Sequence, residues 1–121
     1  MEFKNKKAIY LQIAEYVFDQ IISGKWEAGK KIISIRELSI ILQVNPGTVL
    51  RTYEYLQQQE LIINKRGIGY FVNETAAENI RELRRKKFFE QDLPEFVKKV
   101  KLLEIDFKVV VKSFVYFFKQ N

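Results

Sequence analysis

The Asn45-Pro46 pair constrains the folding of this 121-residue chain more than any other feature of its sequence. Asparagine is a favoured N-cap, and proline suits the first turn of a helix because it has no backbone N–H to lose, so the pair predicts a helix start. An apolar repeat that precedes the pair ends at Leu42, and only Gln43 and Val44 separate the two. Two short helices joined by so tight a corner predict a helix-turn-helix.

Apolar residues recurring at three- and four-residue intervals predict three helices before residue 60. The first is expected from about Lys7 to Ser23, with Gly24 as its C-cap. The second begins at Ser34, which has the spacing of a capping box with Glu37. Trp26, in the connection after the first helix, is expected in the core. The buried positions expected on the three helices are Ile9, Ile13, Tyr16, Val17 and Ile21, then Ile35, Leu38 and Leu42, then Val49, Tyr53 and Leu56.

A short β-hairpin is predicted next. Leu61-Ile62-Ile63 and Tyr70-Phe71-Val72 have the composition of strands, and the segment between them contains Gly67 and Gly69, which can adopt positive φ angles at a hairpin tip. An isolated hairpin is only marginally stable, so this one must pack on the helices. Together these elements predict a winged helix-turn-helix, a shape that places one helix in the DNA major groove.

The character of the sequence changes after residue 73. Thr75 with Glu78, and Asp92 with Glu95, have the spacing of capping boxes and predict a charged helix followed by a short one. From Asp106 onward, apolar residues recur at helical spacing; their valine and aromatic content also suits a strand, but no sheet is predicted for it to join. We therefore expect a mainly α chain with a small hairpin: a winged helix-turn-helix DNA-binding domain over residues 1–73, followed by a helical dimerisation and effector segment over residues 74–121.

Composition narrows the function. The sequence has no cysteine and no histidine, which removes thiol chemistry, the commonest general base and the commonest metal ligand. No phosphate-binding loop or ligand cluster accompanies the carboxylates, so we expect neither an enzyme nor a cofactor. The net charge is +6, but residues 1–60 contribute only +1 and Lys65 and Arg66 contribute +2. DNA binding would therefore depend on a few placed cations.

Two features address targeting. Gln12, Glu15 and Asp19 interrupt the first apolar stretch, so the N-terminus does not have the core of a signal peptide. The longest apolar run, residues 114–118, is far shorter than the ~20 residues that span a bilayer. We expect a soluble, cytoplasmic protein without a membrane partner.

Residues 8–72 as a whole resemble the N-terminal domain of the GntR family of bacterial transcription regulators. The helix that begins at Asn45-Pro46, together with the short C-terminal segment, is similar to the YtrA-type subfamily. The matching landmarks, in chain order, are Ile9-Tyr10-x-Gln12-Ile13, the Gly24/Gly29 connection, Ser34-x-Arg36-Glu37-Leu38, Val44-Asn45-Pro46-x-Thr48-Val49-x-Arg51-x-Tyr53, and Gly67-x-Gly69-Tyr70-Phe71-Val72.

The resemblance implies a sequence-specific repressor that binds double-stranded DNA at an inverted-repeat operator. YtrA-like regulators often accompany ABC-transporter genes, so it also implies control of such an operon. Leu50 stands where some subfamilies have arginine, so we expect one base or phosphate contact fewer; Ile33 stands where the family usually has proline. The implied DNA-binding residues are Ser34, Arg36, Asn45, Pro46, Gly47, Thr48, Arg51, Lys65, Arg66, Gly67 and Gly69.

Ser34 and Thr48 have an alternative role as helix caps. On the expected helix, Thr48, Arg51 and Tyr55 lie on a face available to a partner. A second function class also stays open, because winged helices bind protein or RNA with the same shape. The arginines at positions 36, 51 and 66 favour duplex DNA. The sequence specifies neither the operator nor the regulated genes.

Dimerisation is predicted from the C-terminal segment. The final helix carries apolar groups on more faces than its own short segment covers, and a twofold interface would bury them on both chains. The alternative is that this helix folds back on its own winged domain. Any small-molecule effector would sit between subunits or between domains, because the segment is too short to enclose a large cavity. The predicted interface comprises Phe96, Val100, Leu103, Phe107, Val110, Val111, Phe114, Val115, Phe117 and Phe118.

Overall fold

The computed structural model describes residues 7–121 and divides into two compact units, the first ending at Glu82 and the second covering Leu83–Asn121. The first six residues of the predicted 1–73 domain lie outside the described residues. The boundary after residue 73 depends on the change in composition there and stays a prediction. The elements are α1 (Ile9–Ile22), α2 (Ile35–Leu42), α3 (Pro46–Gln58), β1 (Ile62–Lys65), β2 (Gly69–Val72), α4 (Ala76–Lys87), a π-helical turn (Phe88–Asp92), α5 (Leu93–Leu102) and α6 (Phe107–Phe118).

The prediction of a mainly α chain with one small hairpin is confirmed. In the first unit, α3 packs against both α1 and α2, and the contact buries the stripes that apolar spacing predicted. Ile9 is an exception because it is exposed, and Tyr16 and Ile35 are only half-buried. Trp26 is also half-buried rather than a core residue. The largest fully buried side chains are Tyr53, Ile13, Leu38, Leu56, Leu61, Ile80, Val17, Val49 and Val72, together with Thr52.

Helices α2 and α3 both begin with the predicted N-caps. The Ser34 hydroxyl accepts a hydrogen bond from the Glu37 backbone N–H at 3.1 Å, and it donates to the Glu37 carboxylate at 2.9 Å. In a complete capping box the Glu37 carboxylate would accept from the Ser34 backbone N–H; here it accepts from the Ser34 hydroxyl instead. Gln43 ends α2 with a positive φ of 56°, and Asn45 Oδ1 then accepts from the Gly47 N–H at 2.7 Å. This sharp reversal leads directly into α3.

The wing contains one more strand-like segment than the sequence predicted. Strands β1 and β2 pair antiparallel, with Ile62 opposite Val72. Residues 29–32 then run along the other side of β2: the Ile32 N–H donates to the Tyr70 carbonyl at 2.9 Å, and the Val72 N–H donates to the Lys30 carbonyl at 3.0 Å. These residues are too few to show an alternating pattern. Through them, the hairpin is hydrogen-bonded to the segment that precedes α2.

The second unit consists of short helices with a hydrophobic surface. Asp92 does not cap α5 as predicted: its backbone is helical, and its carboxylate lies 3.8 Å from the Lys87 ammonium, because the π-helical turn continues into α5 without a break. The final segment is a helix, α6, capped by Asp106, whose carboxylate accepts from the Lys108 N–H at 2.7 Å. No side chain of residues 83–121 is fully buried. Across residues 7–121, no helix has the length and hydrophobicity needed to cross a membrane.

Candidate nucleic-acid interface

Helix α3 has one fully buried side and one exposed side. Val49, Tyr53 and Leu56 have no exposed area, whereas Gly47, Leu50, Arg51 and Glu54 are exposed. Gly47, Leu50 and Glu54 are separated by three and four residues, so they form a row along the exposed side of the helix, with Arg51 beside it. This row and Arg51 form the side of α3 that is available to a groove of DNA.

The first turn of α3 is open to solvent. Asn45, Pro46 and Gly47 are exposed, and Thr48 is half-buried. A helix N-terminus has backbone N–H groups without intrahelical partners and the positive end of the helix dipole, and both attract phosphate. A Cβ atom at Gly47 would lie 3.0 Å from Asn45 Oδ1, so the glycine leaves room for the cap. The caps and the implied DNA contacts therefore share the same residues.

Arg51 is exposed but its position is fixed from α1. Its guanidinium carbon lies 3.9 Å from the centre of the Tyr10 ring, and Tyr10 meets Tyr55 edge to face at 6.1 Å. The Thr52 hydroxyl donates to the Tyr10 carbonyl at 2.9 Å. Burial, followed by the nearby Glu15 carboxylate, raises the pKa of Tyr55. Tyr55 is thus half-buried beside α1. The sequence had predicted instead that it lies on a face available to a partner.

Ser34 and Arg36 lie in the first turn of α2, and both are exposed. The segment leading to them is held by Tyr53, whose hydroxyl donates to the Ile33 carbonyl at 2.7 Å. The Tyr70 ring packs edge to face on Tyr53 with 4.9 Å between centroids, and burial raises the Tyr53 pKa well above its usual range. A buried tyrosine therefore fixes the approach to α2 at the position where proline is usual.

The tip of the wing presents backbone and positive charge. Gly67 and Gly69 have φ angles of +79° and +139°, which residues other than glycine rarely adopt. The Ile68 N–H donates to the Lys65 carbonyl at 2.9 Å, which closes the turn. Arg66 is exposed, and the Lys65 ammonium lies 4.3 Å above the Phe71 ring. The wing residues that were predicted from the sequence are therefore gathered at one end of the hairpin.

Lys31 joins these wing residues and was not predicted. It pairs with Phe71 in the strand-like segment, and a Cβ atom built at Gly69 would lie 2.8 Å from Lys31 Cε. The lysine side chain thus passes over Gly69 toward the wing. In the sequence, Lys31 is one of two adjacent lysines before α2, and nothing in that spacing indicates a hairpin neighbour.

The predicted dimer residues form an apolar surface within the second unit. Phe107, Phe117 and Phe118 are each more than 70% exposed. Phe114 stacks on Phe118 at 5.5 Å, and Tyr116 on Phe117 at 5.2 Å. Residues from α5 and α6 also line an apolar cavity of about 640 Å³; its wall is formed by Phe96, Val100, Ile105, Val109, Val110, Val111, Ser113, Phe114 and Phe117. Val100 and Val110 are half-buried, and the other predicted interface residues are exposed.

Comparison with known proteins identifies close relatives. The family of bacterial regulatory proteins named gntR matches residues 9–72. The HTH-type transcriptional regulator YhcF of Bacillus subtilis is 37% identical over 102 residues, which cover 84% of this chain and 83% of YhcF. The HTH-type transcriptional repressor YtrA of the same organism is 32% identical over 79 residues, which cover 65% of this chain and 61% of YtrA.

Solved structures agree with these relatives. A GntR-family regulator from Bacteroides thetaiotaomicron superimposes with a TM-score of 0.80 and 41% sequence identity, over 93% of this chain and 97% of that one. The DNA-binding domain of AraR, solved in complex with the operator ORX1, superimposes with a TM-score of 0.52 and 26% identity, over 59% of this chain and 92% of that domain. The winged helix-turn-helix predicted from the sequence is thereby confirmed.

Proposed function

We propose, from the premise that this chain belongs to the GntR family of bacterial regulatory proteins, that it binds an inverted-repeat DNA operator as a homodimer. The chain is a GntR-family helix-turn-helix transcription regulator, and its family and relatives are transcription regulators rather than enzymes. The operator, the assembly and the residues that contact DNA are the parts that we add to this identification.

The observation that carries the proposal is the exposed first turn of α3. Its caps fix the helix start, and its N–H groups and Gly47 present a surface that a DNA backbone or base edge can approach closely. Arg36 and Arg51 lie on α2 and α3, which pack together, so both cations belong to the same small domain. We assign major-groove and adjacent phosphate contacts to Ser34, Arg36, Asn45, Pro46, Gly47, Thr48 and Arg51.

The wing supplies the second set of contacts. We assign Lys65, Arg66, Gly67 and Gly69 to the minor groove and its phosphates, and we add Lys31 because its side chain passes over Gly69. Positive φ angles at the two glycines allow the backbone to approach DNA without a side chain between them. Each cation that neutralises a phosphate releases a counterion, so affinity should fall steeply with added salt.

The exposed apolar surface of the second unit supports the homodimer. A surface with several phenylalanines mostly exposed is an aggregation liability in a monomer, and a twofold interface buries it on both chains at once. In a dimer, the two copies of α3, the recognition helices, would lie about one DNA turn, ~34 Å, or a multiple of it apart. The interface residues are those predicted from the sequence, from Phe96 to Phe118.

The biological assignment follows the relatives. YtrA is described as a repressor, so we propose repression, and an ABC-transporter operon as its target. A regulator of bacterial transcription acts in the cytoplasm. A small-molecule effector, if one exists, would bind between subunits, where the apolar cavity lined by α5 and α6 would meet its counterpart.

One experiment tests the proposal: selection of genomic DNA fragments by the purified full-length protein, followed by titration of the recovered site at two salt concentrations. The expected result is a fragment set that shares an inverted repeat, bound far more tightly than a scrambled duplex. Equal affinity for the two duplexes at moderate salt would reduce the binding to charge attraction. Tighter binding to RNA of the same sequence would favour the alternative interaction module.

A further inference from the structure

We propose that Leu50 recognises the C5-methyl group of a thymine in the operator. The inference rests on the proposed function, because it assumes that α3 enters the major groove. It replaces the contact that was expected to be missing at this position, where some related subfamilies have arginine. The site is a single exposed leucine on the recognition helix, and its ligand is one methyl group of DNA.

The position of Leu50 on α3 is the first argument. It lies three residues after Gly47 and four before Glu54, on the exposed row beside the buried stripe, and 42% of its surface is exposed. Gly47 has no side chain, so Leu50 is the first group on this row that can extend from the helix. A groove occupied by α3 would meet Leu50 about one turn inside the helix start.

The chemistry of the row is the second argument. Exposed leucines are common on protein surfaces and need no explanation when scattered singly. Here, however, Leu50 is next to Arg51, whose guanidinium is placed over Tyr10, and one turn from Glu54, which phosphates repel. The thymine methyl is the apolar group that base pairs display in the major groove, so it is the group that a leucine side chain can distinguish.

The consequence for specificity differs from that of an arginine. Arginine at this position would bind guanine or phosphate and would add to the salt dependence of binding. Leucine contributes apolar contact, which depends on the presence of one methyl group and little on ionic strength. The position would therefore favour a T·A pair without adding to the phosphate contacts of the protein.

The test uses the operator recovered by selection, with each thymine replaced in turn by deoxyuridine, which lacks only the methyl group. For the unmodified protein, one symmetric pair of replacements should weaken binding about fifteenfold, because it removes two buried methyl groups and each is worth about fourfold. Leu50→Ala should bind the thymine operator more weakly and should not respond to uracil at that pair. Its melting temperature should be unchanged, since Leu50 is not part of the core.

Ile40→Ala is the matched control, because Ile40 is 68% exposed on α2 and loses a similar apolar side chain. This variant should keep the full response to uracil. The proposal is overturned if no thymine responds, or if Leu50→Ala responds as the unmodified protein does. Failure of the wider function is recognised separately, because the unmodified protein would then not distinguish the thymine operator from a scrambled duplex.

Discussion

The Arg51 guanidinium carbon lies 3.9 Å from the centre of the Tyr10 ring, so a residue of α1 holds a cation of the recognition helix. The Thr52 hydroxyl binds the Tyr10 carbonyl at 2.9 Å, which fixes the backbone beneath the same ring. Stacking of an exposed cation on an aromatic ring is worth about 0.5–1 kcal/mol. That energy is too small to hold the domain together, but it is enough to restrict where the arginine points.

We predict that Tyr10→Leu weakens binding about threefold at each operator half-site, since about 0.5–1 kcal/mol of pre-organisation is lost per protomer. Tyr10→Phe should bind normally, because the ring remains. Arg51→Ala should cost about 1–3 kcal/mol, as should Arg36→Ala on the neighbouring helix. Fluorescence titration of a labelled operator measures all four variants, and thermal melting of each should show little change.

The double variant Tyr10→Leu/Arg51→Ala separates positioning from general damage. If Tyr10 acts through Arg51, the double variant should bind no more weakly than Arg51→Ala alone. Tyr10→Leu combined with Arg36→Ala provides the control, and there the two losses should add. Full additivity in both pairs would mean that the stack does not position Arg51 for DNA.

We predict that Lys31→Ala lowers the salt dependence of operator binding by about 1.8 in the slope of log K against log salt, because each protomer of the proposed homodimer loses one phosphate contact worth about 0.9. Lys30→Ala removes the same charge from the adjacent residue, whose side chain points to the opposite face of the strand-like segment. Its slope should stay close to that of the unmodified protein. Equal slopes for the two variants would show that Lys31 acts only through net charge.

Gly69→Ala gives an independent test of the same wing contact. A methyl group there would lie 2.8 Å from Lys31 Cε and would require a positive φ of 139°, so both the lysine and the turn would have to shift. Operator affinity should fall. The double variant with Lys31→Ala should lose less binding free energy than the sum of the two single losses. A normal titration curve for Gly69→Ala would contradict the wing assignment.

We predict that Tyr53→Phe destabilises the protein by about 1–2 kcal/mol, because the Ile33 carbonyl loses its 2.7 Å hydrogen bond. Urea denaturation at neutral pH measures the change. Tyr16→Phe is a suitable control, since Tyr16 is a half-buried tyrosine on α1 and should show a smaller effect.

The raised pKa of Tyr53 also predicts how stability depends on pH. The unfolded state releases the phenolic proton near pH 10, whereas the folded state retains it to higher pH. The stabilising contribution is therefore complete below pH 10 and is lost as the pH rises from there toward the folded pKa. The free energy of unfolding of the unmodified protein should fall more steeply between pH 9.5 and 11 than that of Tyr53→Phe.

We predict that Phe114→Glu converts the proposed homodimer to a monomer, because a carboxylate would have to be buried in the apolar interface. Sedimentation of the full-length variant at micromolar concentration measures the mass. Ile40→Glu introduces the same charge at an exposed apolar residue of the first unit and should remain dimeric. A monomeric unmodified protein would refute the homodimer itself.

The sequence predicted what depends on local chemistry. Caps at Ser34 and Asn45, and most of the apolar stripes of α1 to α3, depend on spacing along the chain, and the structure contains them. Asp92 failed as a cap because the chain through Phe88–Asp92 is already helical, which leaves no free N-terminus there. Lys31 beside Gly69, and Tyr10 beneath Arg51, depend on tertiary contacts between segments far apart in sequence, and no local pattern encodes them.

The strand-like segment at residues 29–32 also has a consequence for the operator. It is hydrogen-bonded to β2 and continues directly into the Ser34 cap, so the hairpin and the recognition unit share one backbone support. If the wing and α3 both bind DNA, the spacing between these two elements is already fixed in the free protein. Inserting one base pair within a half-site would rotate one groove by about a tenth of a turn relative to the other. The protein could not follow that change without breaking the hydrogen bonds between residues 29–32 and β2. Binding should therefore tolerate changes in half-site length less well than changes in base sequence.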